Sequence, residues 1–140
     1  GLPTEAQVVE SADDQRAFDA RFAQAMEAFR PTAIIASNDV IAAWTVHALD
    51  ALKVRCPRDV SLIVFDEPAW AEIVRPPLSC VRLAVDEMTE TAWSLLLARI
   101  HDSSLEPRAV VVGAEILFRD SVGPPPDEAA PRVRSRKESA

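Results

Sequence analysis

Only three glycines occur in 140 residues: Gly1, Gly113 and Gly123. A phosphate-binding loop needs glycine where the backbone approaches the phosphate at the mouth of a helix, and none of the three ends a strand and opens a helix. A Walker loop and a G-x-G-x-x-G cradle are therefore excluded, and so is a G-x-S-x-G nucleophile elbow. Cysteine is almost as scarce. Cys56 and Cys80 lie far apart, without C-x-x-C spacing and without an export signal ahead of them. That usage fits a reduced, cytoplasmic chain in which neither thiol is a nucleophile or a metal ligand. His47 has no second histidine or cysteine at ligand spacing, so it is expected to be structural and no metal site is expected. Positive charge is also in deficit, with Lys+Arg 15 against Asp+Glu 22 and a formal net charge of -7. This opposes broad binding of nucleic acid or anionic membrane by the segment. Apolar runs fall far short of the ~20 residues of a membrane span. The opening Gly1-Leu2-Pro3 lacks an initiator methionine, so part of a longer protein is expected. The length suits a single core.

What is present is organised around residues 31–39, PTAIIASND. The apolar run Ala33, Ile34, Ile35, Ala36 lies between a proline and the polar Ser37-Asn38-Asp39, and a helical apolar pattern follows. Such a run reads as a strand buried on both faces of a parallel sheet. Ligands of open α/β sheets bind beyond the carboxyl ends of the strands, where Ser37, Asn38 and Asp39 fall.

Before this strand, residues 7–10 suggest a short strand and Ser11 opens S-A-D-D, a helix start. Phe18, Phe22, Ala25, Met26 and Phe29 then form a core stripe at helical spacing, ended by Arg30-Pro31. The helix expected over 39–53 is apolar on more than one face, so a cover beyond the sheet is needed, for which a partner subunit or neighbouring domain is favoured. Residues 60–65, VSLIVF, form a second buried strand that ends at Asp66. A right-handed strand, helix, strand crossover makes the two strands parallel and brings Asn38 and Asp66 out at one edge. An amide with donors and acceptors beside a multiple acceptor suits the hydroxyls or amides of a polar small molecule. Each residue also has the composition of a plain helix cap, and spacing alone leaves the two roles open.

Residues 69–74 read as a helical turn carrying Trp70, 79–85 as a strand, and 86–100 as a helix with Met88, Ala92, Trp93, Leu96, Leu97 and Ile100 as its apolar set. Residues 109–112 and 116–118 read as strand interrupted at Gly113-Ala114, and the proline-rich, charged 123–140 as a disordered tail. The basic residues of that tail, Arg132, Arg134, Arg136 and Lys137, are expected to be solvated rather than bound to nucleic acid.

Taken in order, PTAIIASNDVIAA, CPRDVSLIVFDEPAWAEIVRPPLSCVRLAVDEM and AEILFRDSVGPPP resemble the effector-binding domain of the lactose-repressor/galactose-repressor family of transcription regulators. The resemblance implies an α/β fold: an incomplete three-layer parallel-sheet lobe of the periplasmic-binding-protein-like type I architecture. It would occupy residues 1–122, with a C-terminal lobe over 6–78, crossover and other-lobe elements over 79–115 and a return strand over 116–121. It further implies a cytoplasmic, non-enzymatic domain without cofactor that senses a sugar or related metabolite. Operator DNA would be reached only through a helix-turn-helix that none of these residues match.

Carried over position by position, Asn38 and Asp66 match ligand contacts, and Leu83 and Val85 fall where the crossover lines the cleft. Ala43, Val46 and Val74 match the homodimer surface. Leu83 stands where glutamine is common, which makes that part of the pocket more apolar, and Lys53 stands near a usual helix-ending glycine. A solute-binding protein of a transport system would share the fold. An enzyme using Asp66 and Glu67 as an acid/base pair is disfavoured, because no nucleophile, metal cluster or phosphate loop accompanies them.

Overall fold

The computed structural model describes residues 7–9 and 14–125. Four strands, β1 (Ala33–Ala36), β2 (Ser61–Phe65), β3 (Ser79–Leu83) and β4 (Ala114–Leu117), form one sheet in the order β1-β2-β3-β4. The first three are parallel and β4 runs antiparallel to β3. Helices α1 (Gln15–Phe29), α2 (Asp39–Ala51) and α3 (Val85–His101) accompany them.

Strand residues alternate between faces. Pairing of Ala36 with Val64 and of Val64 with Cys80 therefore puts Ala36, Leu62, Val64 and Cys80 on one face, and all four are buried. Helix α2 covers that face with Ala42, Thr45, Ala48 and Leu49. Helix α1 packs on α2 in turn, placing the Phe18 ring 5.6 Å from Trp44. Much of the second cover that α2 needs thus comes from α1 within the chain, while Val40 and Ala43 stay exposed. His47 belongs to this junction, with Nδ1 3.6 Å from Asp19 of α1.

Among the described residues no helix covers the opposite face of the sheet. Ile35 and Ile63 lie side by side on it, and Phe65, Val81 and Ile116 form a second row across three strands. Ile35, Phe65 and Ile116 are exposed there. Two of the three expected layers are therefore built by the described residues. Helix α3 does not supply the third, since none of its residues is buried.

Several local expectations shift. Residues 7–9 form no strand, Glu10 and Ser11 fall outside the described residues, and the N-cap of α1 is Asp14, whose Oδ1 accepts from Ala17 N at 2.8 Å. Helix α3 starts at Val85 rather than Asp86, so Val85 is a helix residue and not part of a strand. Residues 109–112 are not a strand: the β3–β4 ladder ends at the Leu83–Ala114 pair, and without a neighbour an extended segment has nothing to hydrogen-bond. Lys53 takes the left-handed conformation (φ 59°) that glycine usually fills after a helix.

Gly123, the first residue of the stretch expected to be disordered, is docked on the sheet. Gly123 N donates to Ser61 Oγ at 3.1 Å, and Ser121 lies buried against β2. Residues 126–140, with the tail arginines, lie outside the described residues.

Candidate functional site

Two residues beyond the paired Ala36, Val64 and Cys80 stand Asn38, Asp66 and Arg82, which extends one register row across the carboxyl ends of β1, β2 and β3. The two residues singled out as a ligand pair therefore leave adjacent parallel strands at equivalent positions on one rim. Both are exposed.

Their surroundings separate the two roles that spacing left open. Asn38 is the N-cap of α2, with Oδ1 accepting from Ile41 N at 2.9 Å, so one side-chain oxygen is committed to the helix. Its Nδ2 has no hydrogen-bond partner among the described residues. Asp66 is not a cap: the short 3-10 turn that follows, Ala69–Glu72, begins after Pro68 with no side-chain cap. Asp66 instead holds a left-handed backbone (φ 66°), and none of the hydrogen bonds or ion pairs among the described residues uses its carboxylate.

The next residue is bound quite differently. Glu67 Oε2 accepts from Arg82 Nε at 2.6 Å, and Glu67 Oε1 pairs with Arg119 Nη2. Arg119 is itself fixed, donating to Leu78 O at 2.8 Å and to Glu72 Oε1 at 2.7 Å, and Arg82 Nη1 reaches Glu115 Oε2 at 3.2 Å. The hydrogen bonds from Arg82 and then Arg119 hold the Glu67 carboxyl down at about 2. A carboxylate so committed is a poor proton acceptor near neutral pH, so Asp66 and Glu67 do not form a free acid/base pair. This network was not foreseen from the sequence. Its available signal was a charged Arg82 inside an otherwise apolar strand, followed by a second arginine, Arg119, after β4.

The remaining expected residues scatter. Leu83 is half-buried at the end of β3 opposite Ala114, on the open face of the sheet, while Val85 is exposed on the first turn of α3. Ala43 is exposed, and Val46 and Val74 are half-buried against the core. A depression of about 340 Å³ lies away from the rim, on α3, between Leu95, Leu96 and Arg99 on one side and Leu105 and Arg108 on the other.

Cys56 donates to Ser121 O at 3.3 Å, and burial pushes its thiol up to about 11, the opposite of an activated nucleophile. Among the described residues no group of three His, Cys, Asp or Glu is placed to hold a metal ion, and no helix is long and apolar enough to cross a membrane.

Residues 1–122 match the model of the periplasmic binding protein-like domain. The chain belongs to that family. Within it, the chain is 41% identical over 91 residues to the regulator GalR of Lacticaseibacillus casei, covering 65% of this chain and 28% of that protein. It is 34% identical over 100 residues to the repressor PurR of Escherichia coli, covering 71% of this chain and 29% of that one. The chain thus spans under a third of the length of these relatives, and it is a segment of a LacI/GalR-type effector-binding domain. Among solved structures, a LacI family regulator of Enterococcus faecalis with bound ribose superposes with a TM-score of 0.71 at 26% identity, covering 84% of this chain and 44% of that one. The cellobiose complex of the regulator CelR gives 0.67 at 24% identity over 78% and 34% of the two chains, a likeness of fold.

Proposed function

We propose that this chain is the ligand-sensing portion of a transcriptional regulator and that Asn38 and Asp66 hold a small polar metabolite, a sugar or a related compound. The observation that carries this is their equivalent position on the rim of two parallel strands, with the Asp66 carboxylate and the Asn38 amide nitrogen uncommitted among the described residues. A polyol offers hydroxyl donors to the carboxylate and acceptors to the amide, so the pair is chemically matched to it. Leu83 and Val85 would add apolar contact at the side of the sugar ring. Relatives named as regulators support a regulatory over a transport role, and a structural neighbour carrying ribose supports a sugar as the class of ligand.

Asn38 and Asp66 are exposed, and the relatives are more than three times as long as the matched stretch, so further residues of such a regulator would close over the ligand. Closure on the ligand would then change the population that holds operator DNA through differential affinity for two arrangements. Self-association through Ala43, Val46 and Val74 belongs to the same proposal. Operator-release assays on the full-length regulator with D-ribose and cellobiose test it. Asn38→Ala and Asp66→Ala should each abolish release while leaving operator binding intact. Release that persists in both variants would reject the site.

A further inference from the structure

Asp66 sits in a left-handed conformation that most side chains with a Cβ avoid, aspartate less than most, and among the described residues no hydrogen bond of its own carboxylate holds it there. Strain of that kind persists only where neighbours over-determine the backbone. Immediately after it, Pro68 has a fixed φ of -65°, and Glu67 has one carboxylate oxygen on each of two arginines from different segments, Arg82 of β3 and Arg119 beyond β4. Both ends of this clamp are anchored elsewhere: Arg119 on the Leu78 carbonyl, and Arg82 on Glu115 of β4. The clamp is partly shielded, with side-chain exposures of 21% for Glu67 and 16% for Arg119 against 66% for Glu72. Charge-assisted pairs so placed are directional as well as attractive.

We propose that Glu67, gripped by Arg82 and Arg119, is a positioning residue that keeps Asp66 in its left-handed turn and so sets the direction in which its carboxylate meets the ligand. This rests on the ligand role of Asp66 given above, but its backbone half does not. The experiment therefore has two readouts on Glu67→Gln and Arg82→Gln: the one-bond Cα–Hα coupling of Asp66 by NMR, which reports positive φ, and affinity for D-ribose and cellobiose. Glu72→Gln, which removes only the exposed partner of Arg119, serves as the control.

In the wild type and in Glu72→Gln, Asp66 should show the positive-φ coupling. In Glu67→Gln and Arg82→Gln it should move toward the averaged value, with the melting temperature within a few degrees of wild type. Affinity for whichever probe binds should fall about tenfold in both clamp variants and stay unchanged in the control. Should Glu67→Gln fail to fold, Arg82→Gln, at a half-exposed side chain, decides alone. An Asp66 coupling unchanged in the clamp variants overturns the proposal, and so does an affinity loss without a coupling change, which would make Glu67 a direct ligand contact. Failure of both sugars to bind the wild type would count against the ligand class proposed above, while the coupling still decides the clamp.

Discussion

Helices α2 and α3 are both rich in apolar residues, yet they fare in opposite ways. Helix α2 sends Ala42, Thr45, Ala48 and Leu49 into a core shared with β1, β2 and α1. Helix α3 carries Met88, Trp93, Leu96, Leu97 and Ile100 and keeps all five exposed, with Trp93 at 59%. The sheet repeats the contrast on its two sides: Leu62 is 1% exposed on the helix-covered face, whereas Ile35 on the other face is 67% exposed. Periodicity specifies that a face wants a cover, but not which segment provides it. In this chain, which spans under a third of its relatives, α3 and one face of the sheet are left without a cover among the described residues.

The sharpest way to break this contrast is to remove side chains from the covered half. Leu62→Ala leaves a cavity between β2 and α2 and should cost about 3 kcal/mol, read from urea unfolding. A loss below about 1 kcal/mol would mean that this face is no better packed than the open one. Ser121→Ala comes next. Its hydroxyl donates to Leu62 O at 2.6 Å and accepts from Ser79 N at 2.7 Å, all buried, so the alanine strands a carbonyl and an amide. About 2 kcal/mol is expected by the same measurement. A neutral effect would show that residues 119–123 are not docked onto the start of β2 and β3.

Much of the covered half was legible in residue order. PTAIIASND and VSLIVF gave both parallel strands, and with them the common rim of Asn38 and Asp66, because continuous apolar runs with polar ends have few other solutions. Two things were not legible. The docking of Ser121 and Gly123 depends on contacts some 60 residues away in sequence, and a proline-rich stretch gives no sign of them. The clamp on Glu67 joins three segments separated by 15 and 52 residues, a pairing that spacing cannot reveal. The Ala109, Val110, Val111, Val112 run misled for a related reason: it has strand composition but no neighbouring strand.

The clamp sits at the border between the covered and open regions, and acid probes it. Arg82 and Arg119 lower the Glu67 carboxyl from 4.5 to about 2 in the folded chain. A depressed folded value stabilises above the unfolded value, so the contribution is full above about pH 4.5 and fades as the pH falls toward 2. Glu67→Gln should therefore be less stable than wild type at neutral pH, by less than Ser121→Ala because solvent screens the pair, and the gap should close between those two pH values. A gap independent of pH would show that Glu67 acts through packing rather than charge.

The smallest effects on stability belong to α3. Trp93→Ala and Leu97→Ala remove large apolar groups, but from exposed positions on a helix with no buried residue, so each should change unfolding free energy by no more than about 0.5 kcal/mol. Those same side chains and the open sheet face are the apolar surface that drives association in water. Sedimentation velocity on the 140-residue chain should therefore show self-association that Trp93→Ala weakens, with little change in the melt. The opposite pattern, a loss near 3 kcal/mol with no change in association, would mean that α3 folds back over Ile35, Phe65 and Ile116 in solution. Helices α2 and α3 would then share one fate, and the contrast between them would belong to a single conformation of the chain.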